Sequence, residues 1–131
     1  ETPAGALWML SGDAGLRAIA AWHAGQQEVV VTSGAAWLPP VMAPLLDDPY
    51  DAVRWIAAKS LRKLPGYAGF EYDFLDPPAA RADASRRALE QWRPGSAYLP
   101  PALFEAGGSP RGAVFRSLLE NRDDRPVYLV E

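Results

Sequence analysis

Three acids within five residues, Asp47, Asp48 and Asp51, and an alternating pair, Glu71 and Asp73, are the side chains best suited to collect a hard cation or share a proton. Calcium takes about six to eight oxygens, and neighbouring carboxylates can divide acid and base work. A simpler physics accounts for both groups. Asp48 precedes Pro49 and an apolar-periodic run, which is the arrangement of a helix cap followed by proline in the first helical position. Asp51 then places negative charge at the positive end of that helix. Glu71 and Asp73 alternate with Phe70, Tyr72 and Phe74, so along an extended segment they share a wet face opposite the rings. The serines lack a Gly-x-Ser-x-Gly turn, a single histidine is available as base, and Gly107-Gly108-Ser109 lacks the lysine of a phosphate-cradling loop. No catalytic residue and no metal ligand is assigned. The alternative is a small metal-dependent or hydrolytic enzyme using these acids, which lacks a positioned partner for proton transfer.

The elements that hold these residues recur. Leu16-Arg17-Ala18-Ile19-Ala20 after Gly12-Asp13 is echoed 37 residues later by Val53-Arg54-Trp55-Ile56-Ala57 after Asp47-Asp48. A helical repeat of this length marks stacked helix pairs, each of which hides its apolar edge against a neighbour. In the first unit Ser11 or Asp13 caps a helix running to about His23 and stopped by Gly25, with Leu16, Ile19, Ala20 and Ala24 expected to face inward. Residues 26–34 read as a loop or short extended piece. In the second unit Pro39 and Pro40 open a helix that Pro44 should bend, because an interior proline removes one backbone bond and crowds the preceding turn. The next helix carries Val53, Ile56, Ala57, Ser60, Leu61 and Leu64 on one stripe and stops at Pro65-Gly66.

The period does not continue. Residues 67–76 form an aromatic and acidic connector, expected to lie across the helices with rings inward and carboxylates outward. Asp76-Pro77-Pro78 opens a helix to about Arg93 with a narrow edge of Ala80, Ala84, Ala88, Leu89 and Trp92, closed by Pro94-Gly95. On that helix Arg81, Arg86, Arg87 and Arg93 are diluted by Asp83 and Glu90, which reads as a solvated face. Ser109-Pro110 begins a last helix burying Val114, Phe115, Leu118 and Leu119 and ending near Asn121. Pro126 to Val130 has β character and reads as an extended tail. The expected fold is all-α: two helical hairpin units over residues 1–66, the connector, and two further helices with the tail over 77–131. The start at Glu1, leading straight into Ala6-Leu7-Trp8-Met9-Leu10, reads as a fragment of a larger protein.

The string from Leu45 to Arg54, followed by Ile56-Ala57 and Leu61, resembles the core of a HEAT repeat, with a kinked first helix, an Asp-Pro turn and a Val-Arg pair opening the second helix. Gly12 to Arg17 resembles it more loosely, since the proline is missing. The resemblance implies structural roles for Asp13, Arg17, Asp48, Pro49 and Arg54, with Asp48 bridging to Arg54 and Asp13 to Arg17. Over roughly Gly12 to Trp92, through Ala20 to Gly25, Ser33-Gly34, Ser60-Leu61-Arg62, Leu64-Pro65-Gly66 and Tyr72-Asp73-Phe74, the chain also resembles the C-terminal helical-repeat portion of bacterial multihaem c-type cytochrome proteins. That resemblance implies a periplasmic or otherwise exported parent with haem c attached upstream, no cofactor in this segment, and a protein partner, either the rest of the parent or another periplasmic protein.

Composition narrows the classes. A net charge of -3, with eleven Arg and two Lys among sixteen acids, offers no broad positive face to displace counterions from nucleic acid. Cysteine is absent, which removes disulfides and thioether haem attachment from these residues. Apolar runs fall well short of the roughly 20 residues of a membrane span. His23, the only histidine, suits an axial haem site chemically, but no second ligand accompanies it and packing is the expected role. Trp22, Trp55 and Lys59 lie off the main apolar stripes. They are the candidates for an interaction surface, or for contacts with the connector or the final helix.

Overall fold

The computed structural model describes residues 3–26, 35–93 and 98–122, and every regular element among them is helical. The fold is all-α. Helix α1 (Ala4–Ser11) is apolar on all sides, buries Ala6, Met9 and Leu10, and turns through Gly12 into α2 (Ala14–Ala24). The turn is tight: a Cβ on Gly12 would lie 2.6 Å from the Trp8 carbonyl oxygen. Asp13 caps α2 as its sequence suggests, accepting the Leu16 amide at 2.8 Å, and Gly25 ends it.

The second hairpin begins with a 3-10 turn, Ala35–Trp37, and continues in α3 (Leu38–Met42), whose first turn holds Pro39 and Pro40. At Ala43 the helix tightens into a 3-10 segment, Ala43–Asp47, that contains Pro44. This is the expected effect of an interior proline, expressed as a change of helix type. Helix α4 (Asp51–Leu61) follows. It starts later than its sequence predicts, because Tyr50 occupies the cap position and Pro49 lies in the bend before it. Asp48 does not cap the helix; its Oδ1 accepts the Tyr50 amide at 3.0 Å, two residues on, and folds the turn instead.

Packing joins α1 to α2, α2 to α4, and α4 to the 3-10 segment. On α4, Val53, Ala57, Ser60, Leu61 and the following Leu64 are buried and Ile56 is partly buried, as the stripe predicts. Helix α2 departs from expectation. Its buried residues are Ala14, Arg17, Ala20, Ala21 and Ala24, while Leu16 is 40% and Ile19 64% exposed. The core face of α2 is thus a ladder of alanines with an arginine among them, and the larger aliphatic side chains turn to solvent.

In the connector, Tyr67 and Phe70 are buried, Tyr72 and Phe74 half-buried, and Glu71 and Asp73 exposed. Arginines of the second hairpin hold its backbone. Arg62 donates to the carbonyls of Phe70 (3.1 Å) and Tyr72 (2.8 Å), and Arg54 donates to that of Phe74 (2.8 Å). Helix α5 (Pro78–Gln91) then packs on the 3-10 segment through Ala84 and Ala88, with the Ser85 hydroxyl donating to the Ala43 carbonyl at 2.7 Å. Leu89, expected on that edge, is 43% exposed. On the outer side Asp83 and Glu90 pair with Arg86, and Asp83 also with Arg87, as a solvated face.

Ser109-Pro110 does not open the last helix. Residues 103–111 fold back on themselves instead, with an isolated antiparallel bridge between Phe104 and Pro110 and the Arg111 amide bonded to the Leu103 carbonyl at 2.7 Å. Gly108, at φ 96, supplies the left-handed corner. Helix α6 (Gly112–Glu120) begins after this fold and packs on α1, with Phe115 buried and Val114, Leu118 and Leu119 partly so. Asn121 ends it. The loop over 27–34, the Pro94-Gly95 stop and the extended tail lie outside the described residues.

Candidate functional site

The charged residues singled out by the repeat gather at one buried junction, in a pairing different from the expected one. The Arg17 guanidinium meets the Asp48 carboxylate at two points, Nε to Oδ2 at 2.7 Å and Nη2 to Oδ1 at 3.1 Å. Neither side chain has solvent exposure. Arg17 does not bridge to Asp13, whose carboxylate is taken by the cap; its Nη1 donates to the Gly12 carbonyl at 2.7 Å. Arg54 does not take the Asp48 carboxylate but donates from Nη1 to the Asp48 backbone carbonyl at 2.7 Å. The link thus runs from the first hairpin into the turn of the second. Arg122, after α6, approaches the same carboxylate at 3.9 Å, and the Arg17 guanidinium lies 5.7 Å from the centre of the Tyr50 ring.

This arrangement does structural work. A bidentate guanidinium–carboxylate contact fixes orientation as well as distance, and burial makes its geometry costly to disturb. The remaining candidate acids, Asp47, Asp51, Glu71 and Asp73, are exposed. Asp47 lies 3.6 Å from Arg81, and Asp73 accepts the Leu75 amide at 2.9 Å. Among the described residues no three His, Cys, Asp or Glu side chains gather into a metal-binding group. No helix among them is long and apolar enough to cross a membrane.

The interaction candidates separate onto two faces. Trp55 stays 46% exposed, with Phe74 of the connector at 6.5 Å between ring centres and the Lys59 ammonium 4.5 Å above its ring. That ring therefore meets the connector on one side and a cation on the other. Trp22, 54% exposed, belongs elsewhere, at a groove of about 490 Å³ between α1, α2 and the start of the second hairpin. Trp8 and Ile19 flank it on the open side, and Met9, Trp37 and Leu38 form its buried floor. His23 also lines this groove and is exposed, so the packing role expected for it does not hold.

Trp8 was invisible as a site residue because α1 is apolar all round and its sequence does not reveal which side stays open. The only available signal was an excess: Leu7, Trp8, Met9 and Leu10 are more apolar surface than one short helix can bury. Among the described residues its lining holds no carboxylate, Lys or Arg, so a ligand here is recognised by shape and apolar contact. Compared with known proteins, the chain matches no family model, no curated sequence and no solved structure.

Proposed function

We propose that the chain is a non-catalytic structural module whose work is to present a surface to another protein. The observation that carries this reading is how its side chains are spent. Arg17, Asp48, Arg54 and Asp13 are consumed in joining hairpins and capping a helix, while Trp8, Ile19 and Trp22 stand open around one groove that, among the described residues, has no carboxylate, Lys or Arg in its lining. Exposed aromatic and aliphatic side chains in one concave place favour association, which buries them from water. The hairpins are of HEAT-like type in this reading.

The finer part rests on the sequence resemblance between Leu45 and Phe74. The module is the haem-free C-terminal part of a larger, exported multihaem cytochrome involved in electron transfer, and it positions the haem-bearing region or a periplasmic partner. Without cysteine this chain supplies no thioether attachment, so haem c belongs to the upstream region. The test is the coding sequence ahead of residue 1, which should hold several CxxCH motifs, followed by titration of the purified haem region against this chain. An upstream sequence without such motifs removes the cytochrome part. A haem region that does not bind removes the positioning role.

A further inference from the structure

The two hairpins differ in what covers equivalent faces of α2 and α4, and the difference specifies an occupant for the groove. Helix α4 packs against α2, at Ser60 so closely that a Cβ on Gly25 would lie 2.8 Å from the Ser60 Cα. At that contact α2 offers Gly25, at the end of its buried and mostly alanine ladder, which leaves room for the neighbouring backbone. The 37-residue offset assigns Leu16, Ile19 and His23 of α2 to Val53, Ile56 and Ser60 of α4. Val53 and Ser60 are buried and Ile56 partly so, whereas their three counterparts are open, Leu16 at 40%, Ile19 at 64%, and His23 exposed as well. Helix α2 therefore carries the face equivalent to the one α4 buries, with no helix beneath it among the described residues.

Resting on the proposed role as an interaction module, we propose that this face takes a helical hairpin of a partner protein in continuation of the α2–α4 row. Its contacting helix presents small side chains, Ala or Gly, at every third or fourth position. A second copy of this chain does not continue the row by the same contact, because the two hairpin faces that would serve are taken: α2's by α4, and α4's far side by the connector through Arg54 and Arg62. Charge narrows the partner further. By the same offset Ser11 stands where Asp48 stands in the second hairpin, and its hydroxyl donates to the Leu7 carbonyl at 2.8 Å. A guanidinium arriving as Arg17 does at Asp48 would find no carboxylate there, so the partner helix lacks a cation at that point.

A chain with residues 1–37 duplicated ahead of residue 1 supplies such a hairpin at high effective concentration. With Arg17→Leu in the added copy, we expect one cooperative transition at least about 4 °C above that of the single chain. Amide exchange over residues 14–24 of the receiving copy should slow about tenfold or more. Keeping Arg17 in the added copy should forfeit part of the gain, and Ser11→Asp in the receiving copy should restore it. Ile19→Glu in the receiving copy should abolish the gain, while in the single chain, at an exposed site, it shifts the midpoint by less than about 2 °C. The proposal is overturned if the added hairpin leaves the transition and the exchange of residues 14–24 unchanged. It is also overturned if the single chain forms a dimer in sedimentation that Ile19→Glu dissolves, which would give the face to a second copy. Either result leaves the non-catalytic module reading in place, since titration with the haem region decides that separately.

Discussion

Arg17 and Asp48, 31 residues apart in the chain, clasp each other in a fully buried two-point contact that joins the first helical hairpin to the turn of the second. The pair is surrounded by obligations on both sides: Arg17 also bonds the Gly12 carbonyl, and Asp48 also accepts the Tyr50 amide. Removing one member breaks a buried, two-point ion pair, which costs about 3–5 kcal/mol. Arg17→Met and Asp48→Ala should each lose that much in urea unfolding. The double variant should lose clearly less than the two together, with a coupling of at least about 1.5 kcal/mol. It should not recover fully, because the Gly12 carbonyl and Tyr50 amide are left without those partners. Strictly additive losses would mean that the contact does not join the hairpins.

The closeness of α2 and α4 at Gly25 gives a second test. Here Ser60 presents its Oγ, Cβ and Cα at 2.5, 2.6 and 2.8 Å from where a Cβ on residue 25 would sit. Gly25→Ala should therefore cost about 1–3 kcal/mol through forced separation of the helices. Ser60→Gly in the same chain should return only part, since the backbone Cα also clashes. Gly5, inside α1 with nothing within 4 Å, is the control. Gly5→Ala should stabilise by about 0.5–1 kcal/mol through helix propensity. Equal effects at the two glycines in a thermal melt would contradict the packing described.

What the residues disclosed in advance follows the strength of their local signals. Asp13 as cap, Gly25 as stop, and Pro39-Pro40 in a first turn are decided within a few residues, and all appear where expected. The α4 stripe is legible because Val53, Leu61 and Leu64 are large and apolar, while their chain neighbours are small, polar or proline. Helix α2 was misread for the opposite reason. Alanine contributes little to an apolar pattern and arginine counts against burial, so Leu16 and Ile19 dominated the expectation. The Arg17–Asp48 contact, invisible at 31 residues' separation, turns Arg17 inward and carries Leu16 and Ile19 outward. The same contact claimed the carboxylate assigned to Arg54, and the turn around Asp48 displaced Pro49 from α4. The groove was half legible: Trp22 stood out as off the stripe, but Trp8 and the open face of Ile19 depend on how α2 is rotated.

Arg62 anchors the connector by donating to the carbonyls of Phe70 and Tyr72. Replacing it by Met keeps much of the aliphatic stem and removes both charged donors. Hydrogen bonds to charged groups contribute about 1.5–3 kcal/mol each where well formed, and this side chain is only half-buried, so a total loss of about 1.5–3 kcal/mol is expected. The loss should be local. Amide exchange should accelerate over residues 67–75 and leave α1 and α2 unchanged, whereas uniform acceleration would mean that the connector unfolds only with the whole domain.

Two phenols, that of Tyr67 buried and that of Tyr72 half-buried, give the fold an alkaline limit. Tyr67 donates its hydroxyl to the Ala88 carbonyl at 2.8 Å, and Tyr72 donates to the Leu46 carbonyl at 2.6 Å. Burial pushes each phenol up from 10.0 to about 12, against a smaller opposing pull from Arg93 on Tyr67 and from Arg54 and Arg81 on Tyr72. The folded state thus favours the neutral, protonated phenol more than the unfolded chain does. The stability tied to this preference is complete below pH 10 and is lost as pH rises toward about 12, because the unfolded chain sheds its protons first. Urea midpoints should therefore fall between pH 10 and 12. Tyr67→Phe and Tyr72→Phe should each lower stability near neutral pH by about 1 kcal/mol through the missing hydrogen bond. Each should also flatten part of the alkaline decline, and the double variant should flatten it most. A decline that survives in the double phenylalanine variant would assign the alkaline limit to other groups and detach it from these two carbonyl contacts.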